Sequence, residues 1–140
     1  MPYEALDEVL YTTDATAEGG RDGHVKSADG VVDLLLGKPG STSNPKANPE
    51  TLFAAGYASC FSGALAVVAG KAGHDVSEST VTASVSLGKG ASGFGIAVKI
   101  SAHIPGVDHA TAQDLVDQAH QVCPYSKATR GNIDVTVSAA

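Results

Sequence analysis

Tryptophan is absent from this 140-residue chain, and aromatic residues amount to 5%. The core must therefore be assembled from Ala, Val, Leu and Ile, small side chains that favour help from a second copy of the chain. Positive charge is also scarce: nine Lys and Arg face fifteen Asp and Glu, for a formal charge of −6. With no basic cluster to neutralise phosphates, nucleic acid is excluded as an expected partner. The first residues, Met1-Pro2-Tyr3-Glu4-Ala5, have neither a basic start nor an apolar run, so no secretory signal is read there and a cytoplasmic location is expected. Cysteine occurs only at 60 and 123. That excludes a disulfide framework and a CxxC redox loop, and under reducing conditions leaves packing, metal binding or redox chemistry. The five histidines have no ligand spacing, so they read as surface or structural residues and no metal is expected.

What is present is a globular balance, 43% hydrophobic and 17% charged, of a length that suits a single domain over residues 1–140. One stretch, Leu52 to Ala69, contains no charge and reaches the minimum length for a membrane span. It is dominated by Ala, Gly and Ser, so a helix buried in protein is the expected form. Asn48-Pro49-Glu50 marks its start, with a capping Asn, a Pro at the first helical position and a Glu at the positive end of the dipole. Leu52, Phe53, Gly56, Tyr57, Cys60, Phe61, Ala64, Leu65 and Val68 then recur at helical spacing up to Gly70 and Gly73.

Strands are expected elsewhere. Tyr3, Ala5, Asp7, Val9 and Tyr11 alternate as a first strand, although Leu6, Val9 and Leu10 also suit a helix. Residues 19–23, Gly-Gly-Arg-Asp-Gly, form a turn cluster, and Asp29-Gly30 is a hairpin signal. Gly37 to Asn48 has loop composition. Val81, Ala83, Val85 and Leu87 alternate with polar residues, as do Phe94 to Ile104, predicting a hairpin with one buried face. Asp108 caps a second helix carrying Ala112, Leu115, Val116, Ala119 and Val122, and Ile133, Val135 and Val137 make a final strand. Strand runs broken by single helices predict an α+β layer arrangement.

Cys60 lies on the packed stripe of the long helix, where a buried thiol is equally at home as a small hydrophobe. Cys123 is followed by Pro124 and by Tyr125-Ser126-Lys127-Ala128-Thr129, a potential helical turn ending at Gly131. A sulfur at that helix start gains thiolate character and exchange reactivity; an unreactive capping Cys is the alternative.

Two segments carry a resemblance: Asn48-Pro49-Glu50-Thr51-Leu52-Phe53-Ala54-Ala55-Gly56-Tyr57-Ala58-Ser59-Cys60-Phe61, and Cys123-Pro124-Tyr125-Ser126-Lys127-Ala128-Thr129-Arg130-Gly131-Asn132-Ile133-Asp134-Val135. Both resemble the signature segments of the OsmC/Ohr family, and the likeness extends over nearly the whole chain, the turn at 19–23 included. Tyr57 and Tyr125 look like the Ohr branch; Lys127 departs from the Asn expected there.

The resemblance implies an α+β fold with antiparallel sheets packed on a long central helix, an intertwined homodimer, and reduction of organic hydroperoxides by paired cysteines reset by a lipoyl dithiol, with no bound cofactor. It assigns Cys60 as peroxidatic, Cys123 as resolving, and Arg21 and Glu50 as the pair supporting the thiolate. A guanidinium raises the ionised fraction of a nearby thiol, and a carboxylate can hold its fork by a bidentate contact. Without that role, Arg21 is a solvated turn residue and Glu50 a helix-dipole residue. Ten helical residues separate Glu50 from Cys60 by roughly 15 Å, so two antiparallel helices from two subunits would be the simplest way to join them. Phe53, Tyr57, Phe61 and Tyr125 are expected to form an apolar wall for alkyl or lipid hydroperoxides. Two rivals remain: an OsmC-branch peroxidase with broader peroxide use, and a non-enzymatic redox-sensing or ligand-binding module. Acyl transfer by Cys60 lacks a suitably placed His.

Overall fold

A computed structural model describes residues 3–40 and 45–140. The chain divides into two compact units, one ending at Pro49 and the other Glu50–Ala140.

The first unit is a small antiparallel sheet of β1 (Ala15–Glu18), β2 (His24–Ser27) and β3 (Asp33–Leu35), in that order. The turn between β1 and β2 demands glycine. Gly19 and Gly20 have φ of 75° and 66°, and a Cβ on Gly23 would lie 1.7 Å from the Glu18 carbonyl oxygen. A 3-10 turn, Gly20–Asp22, sits at its tip. The Asp29-Gly30 signal is realised between β2 and β3, where the Asp29 carboxylate accepts from Ser27 Oγ and from the Val31 N–H. The strand expected at Tyr3 to Tyr11 does not form; β1 starts at Ala15 instead. Alternation alone makes no strand without a partner edge, and Tyr3, Leu6, Val9, Leu10 and Tyr11 stay exposed. Of the loop expected over Gly37 to Asn48, residues 41–44 lie outside the described residues, and residue 47 returns beside β3 through a Leu36–Ala47 bridge.

The second unit holds the long helix α1 (Pro49–Lys71), which starts at the Pro the sequence marks. Its buried stripe is Tyr57, Phe61, Leu65, Val68 and Ala69. Full burial of a Phe or Leu contributes about 1.5–3 kcal/mol, which accounts for a helix that would otherwise be long and apolar enough to cross a membrane packing as a core element. The hairpin of β4 (Thr80–Gly90) and β5 (Gly93–His103) pairs Val81 with Ala102, Ala83 with Ile100 and Val85 with Val98, so these side chains share the inward face. Asp108 caps α2 (His109–Val122) by accepting from the Thr111 N–H at 2.7 Å. A short helix α3 (Pro124–Thr129) follows, and β6 (Val135–Ala139) closes the sheet in the order β4-β5-β6. The β5–β6 pair is parallel, and α2 and α3 form the crossover that a parallel neighbour requires. Leu115, Val116 and Ala119 of α2 join the α1 stripe and Val98, Ile100 and Ala102 of β5 in one core.

Candidate active site

The two cysteines, 63 positions apart, meet in the second unit with their sulfurs 3.5 Å from each other. Cys60 lies on α1, one turn after Tyr57, at the edge of the core and partly exposed. Cys123 is fully buried at the joint between α2 and α3. Its N–H closes α2 on the Ala119 carbonyl and its own carbonyl accepts the Lys127 N–H that opens α3, both at 2.9 Å. Pro124 explains the joint. A residue before proline is driven from helical into extended conformation, and Cys123 has φ −69° and ψ 123°. The expected helix start behind this sulfur is therefore present, with Cys123 as the capping residue of α3.

Burial is the largest influence on the Cys60 thiol and raises its pKa. The backbone N–H of Tyr125, in the first turn of α3, opposes this by favouring the thiolate, while the neighbouring Cys123 thiol pushes the pKa up again. The net direction is upward from the ordinary value of 9.0.

Three aromatic rings cluster where the first half of α1 meets α3. Phe53 and Tyr125 lie 6.0 Å apart between centroids, Phe53 and Tyr57 6.1 Å, and Tyr57 and Tyr125 5.8 Å, in edge-to-face or tilted arrangements. Gly56 makes room for them: a Cβ there would stand 2.7 Å from the Tyr125 hydroxyl. Tyr125 is exposed, Phe53 half-buried and Tyr57 fully buried. Phe61, expected in the same wall, is fully buried in the core cluster. Glu50 lies in the first turn of α1, half-buried. Arg21 belongs to the first unit, exposed at the tip of the β1–β2 turn. Among the described residues no three His, Cys, Asp or Glu gather as a metal site.

The structure also draws in residues that the sequence reading passed over. Tyr57 Oη lies 2.8 Å from Ser126 Oγ and 3.1 Å from Thr129 Oγ1, and His120 Nδ1 lies 2.8 Å from Ser126 Oγ. Ser126 and Thr129 are buried. The signal was their spacing: His120 and Ser126 stand three residues on either side of Cys123, and Tyr57 three residues before Cys60.

The OsmC-like protein family model matches residues 40–138, across both cysteine segments. The organic hydroperoxide resistance protein of Xanthomonas axonopodis pv. citri (strain 306) is 49% identical over 138 residues, covering 96% of this chain and 97% of that protein. The crystal structure of the organic hydroperoxide resistance protein OhrB of Bacillus subtilis superposes with a TM-score of 0.88 at 45% identity, covering 94% of this chain and all of that one. That of an organic hydroperoxide resistance protein from Elizabethkingia anophelis gives 0.85 at 52% identity, over 95% and 99% of the two chains.

Proposed function

Because the chain belongs to the OsmC-like protein family, and its relatives of the organic hydroperoxide resistance type match it nearly end to end, we propose that it is a thiol peroxidase of organic hydroperoxides. The observation that carries this reading is the sulfur pair. At 3.5 Å, an approach of roughly 1.5 Å makes a disulfide of about 2.05 Å. In the cycle, the Cys60 thiolate attacks one peroxide oxygen, the O–O bond breaks, and the alkoxide takes a proton and leaves as alcohol, so Cys60 becomes a sulfenic acid. The Cys123 sulfur then attacks the Cys60 sulfur; the S–O bond breaks, water leaves and the disulfide forms. A dithiol of the dihydrolipoyl class, free or on a lipoylated protein, returns two electrons and resets the pair. No bound cofactor takes part.

The attacking species is a thiolate, and burial works against it. A nearby cation favours the thiolate, and we assign that role to Arg21, with Glu50 holding its guanidinium fork. The exposed face of α1, formed by Ser62, Gly63, Ala66, Val67 and Gly70, is small enough for close approach of a second helix. A homodimer with antiparallel α1 helices would bring one subunit's Glu50 toward the other's Cys60. Phe53, Tyr57 and Tyr125 provide apolar surface for an alkyl or lipid chain, which favours such substrates over hydrogen peroxide. The setting for this chemistry is the cytoplasm.

The test is mass spectrometry after one equivalent of cumene hydroperoxide. Wild-type protein should carry a Cys60–Cys123 link, Cys123→Ser a sulfenic acid that dimedone traps, and Cys60→Ser neither. Should peroxide loss with dihydrolipoamide stop at one equivalent per protein, a single-use sensor replaces the enzyme; a preference for hydrogen peroxide over the alkyl substrate would place the chain with broad peroxide users.

A further inference from the structure

Four side chains, Tyr57, His120, Ser126 and Thr129, join α1, the end of α2 and α3, and proton counting fixes how they are connected. Thr129 Oγ1 donates its single proton to the Ser126 carbonyl at 3.2 Å. The contact between Thr129 and Tyr57 must then use the Tyr57 proton, and the one between Tyr57 and Ser126 the Ser126 proton. That leaves the contact between Ser126 and His120 to be supplied by a proton on His120 Nδ1. Only this ordering, His120 to Ser126 to Tyr57 to Thr129 and back to the α3 backbone, gives every contact a proton. It also survives protonation of the ring at Nε2, because Nδ1 keeps its proton in both forms. The ring is held further by its backbone, since the His120 carbonyl accepts from the Arg130 guanidinium.

Each anchor lies one helical turn from a sulfur. Tyr57 precedes Cys60 by three residues on α1, Ser126 follows Cys123 by three, and His120 precedes it by three. Ser126 and Tyr57 are fully buried, so water cannot replace a lost partner. We propose that Ser126, clamped between Tyr57 and His120, is a positioning residue that sets the separation of the Cys60 and Cys123 sulfurs and so the rate at which the disulfide closes. Ser126 touches neither sulfur by a hydrogen bond of its own; it acts by holding the first turn of α3 against α1. In kinetic terms the inference rests on the peroxidase reading, but the geometry it concerns can be measured without any peroxide.

Equilibration of the reduced protein with mixtures of reduced and oxidised glutathione reads the effective concentration of one cysteine toward the other. Ser126→Ala and Tyr57→Phe, the second of which keeps the ring and removes only the hydroxyl, should each lower it about tenfold, the size expected for a broken buried hydrogen bond. Combining the two should add little, because both break the same chain. His120→Ala should lower it too, and His120→Asn, whose side-chain amide can donate in place of Nδ1–H, should recover most of the loss. With one equivalent of cumene hydroperoxide, rapid-quench mass spectrometry should show Ser126→Ala accumulating sulfenic acid before the disulfide, where wild-type protein passes directly to it. Glutathione equilibria within twofold of wild type in both Ser126→Ala and Tyr57→Phe overturn the proposal, as does equal loss in His120→Asn and His120→Ala. If the equilibria shift as expected while no variant, nor the wild type, is oxidised by the hydroperoxide, the clamp stands and the peroxidase reading falls.

Discussion

Gly56 stands where α1 passes beneath the Tyr125 ring, with 2.7 Å between its missing Cβ and the Tyr125 hydroxyl. An alanine there gains about 1 kcal/mol of helix propensity, and the atom it would strike is the end of a side chain that can turn away. Gly56→Ala should therefore leave the melting temperature equal or higher while it opens the cluster of Phe53, Tyr57 and Tyr125. Steady-state kinetics with cumene hydroperoxide should show a KM several-fold above wild type; an unchanged KM with the Tyr125 ring displaced would remove that ring from the substrate wall. Gly23 is a different case. Its Cβ would meet a backbone oxygen at 1.7 Å, which nothing can turn aside, so the turn that presents Arg21 admits glycine alone at that position. Both residues read from the sequence as turn or packing glycines, and only the surrounding atoms distinguish a tolerant site from an intolerant one.

Among the elements, those with local punctuation were legible. Asn48-Pro49-Glu50 marks the start of α1, Asp108 that of α2, and Pro124 that of α3; each acts through a bond or clash within a few residues. The Asp108 cap yields a pH dependence with a definite sign. The Thr111 N–H, with a smaller pull from His109 and His74, holds the Asp108 carboxyl below its ordinary 3.8. A depressed carboxyl contributes stability above the unfolded value and loses it as pH falls through the folded one. In urea melts Asp108→Ala should be less stable than wild type at neutral pH, and the gap should narrow below pH 3.8. A gap that stayed constant into acid would mean that the cap is not the carboxylate. Elements that depend on a distant partner were less legible. Residues 3–11 alternate like a strand and form none, and the direction of β6 beside β5 follows from the path of α2 and α3 rather than from its own pattern.

At the scale of the whole molecule, apolar surface remains uncovered. Val67 on α1 is 54% exposed and Phe94 on the hairpin 77%, in a chain with few large side chains to spare. A second copy is the proposed cover, with the small-residue face of α1 as its centre. Val67→Glu places a charge there, and an unpaired charge at a closed interface costs several kcal/mol. Sedimentation should show this variant as a monomer where wild type is a dimer, with peroxidase activity lost together with the partner's contribution to the site. A Val67→Glu dimer of undiminished activity would move the interface elsewhere.

The sequence by itself determined the identities of the two cysteines, the helix that carries the first and the proline joint that carries the second, because helix caps, periodicity and the restriction before proline all act over a few residues. It also carried the family likeness. Tertiary structure alone decided that the two sulfurs lie 3.5 Å apart, that Phe61 turns into the core while Phe53, Tyr57 and Tyr125 gather, and that Ser126 ties His120 to Tyr57. Apart from the pairs Ser126–His120 and Phe53–Tyr57, those contacts span tens of residues. Chain packing sets them, and a short-range pattern cannot encode them.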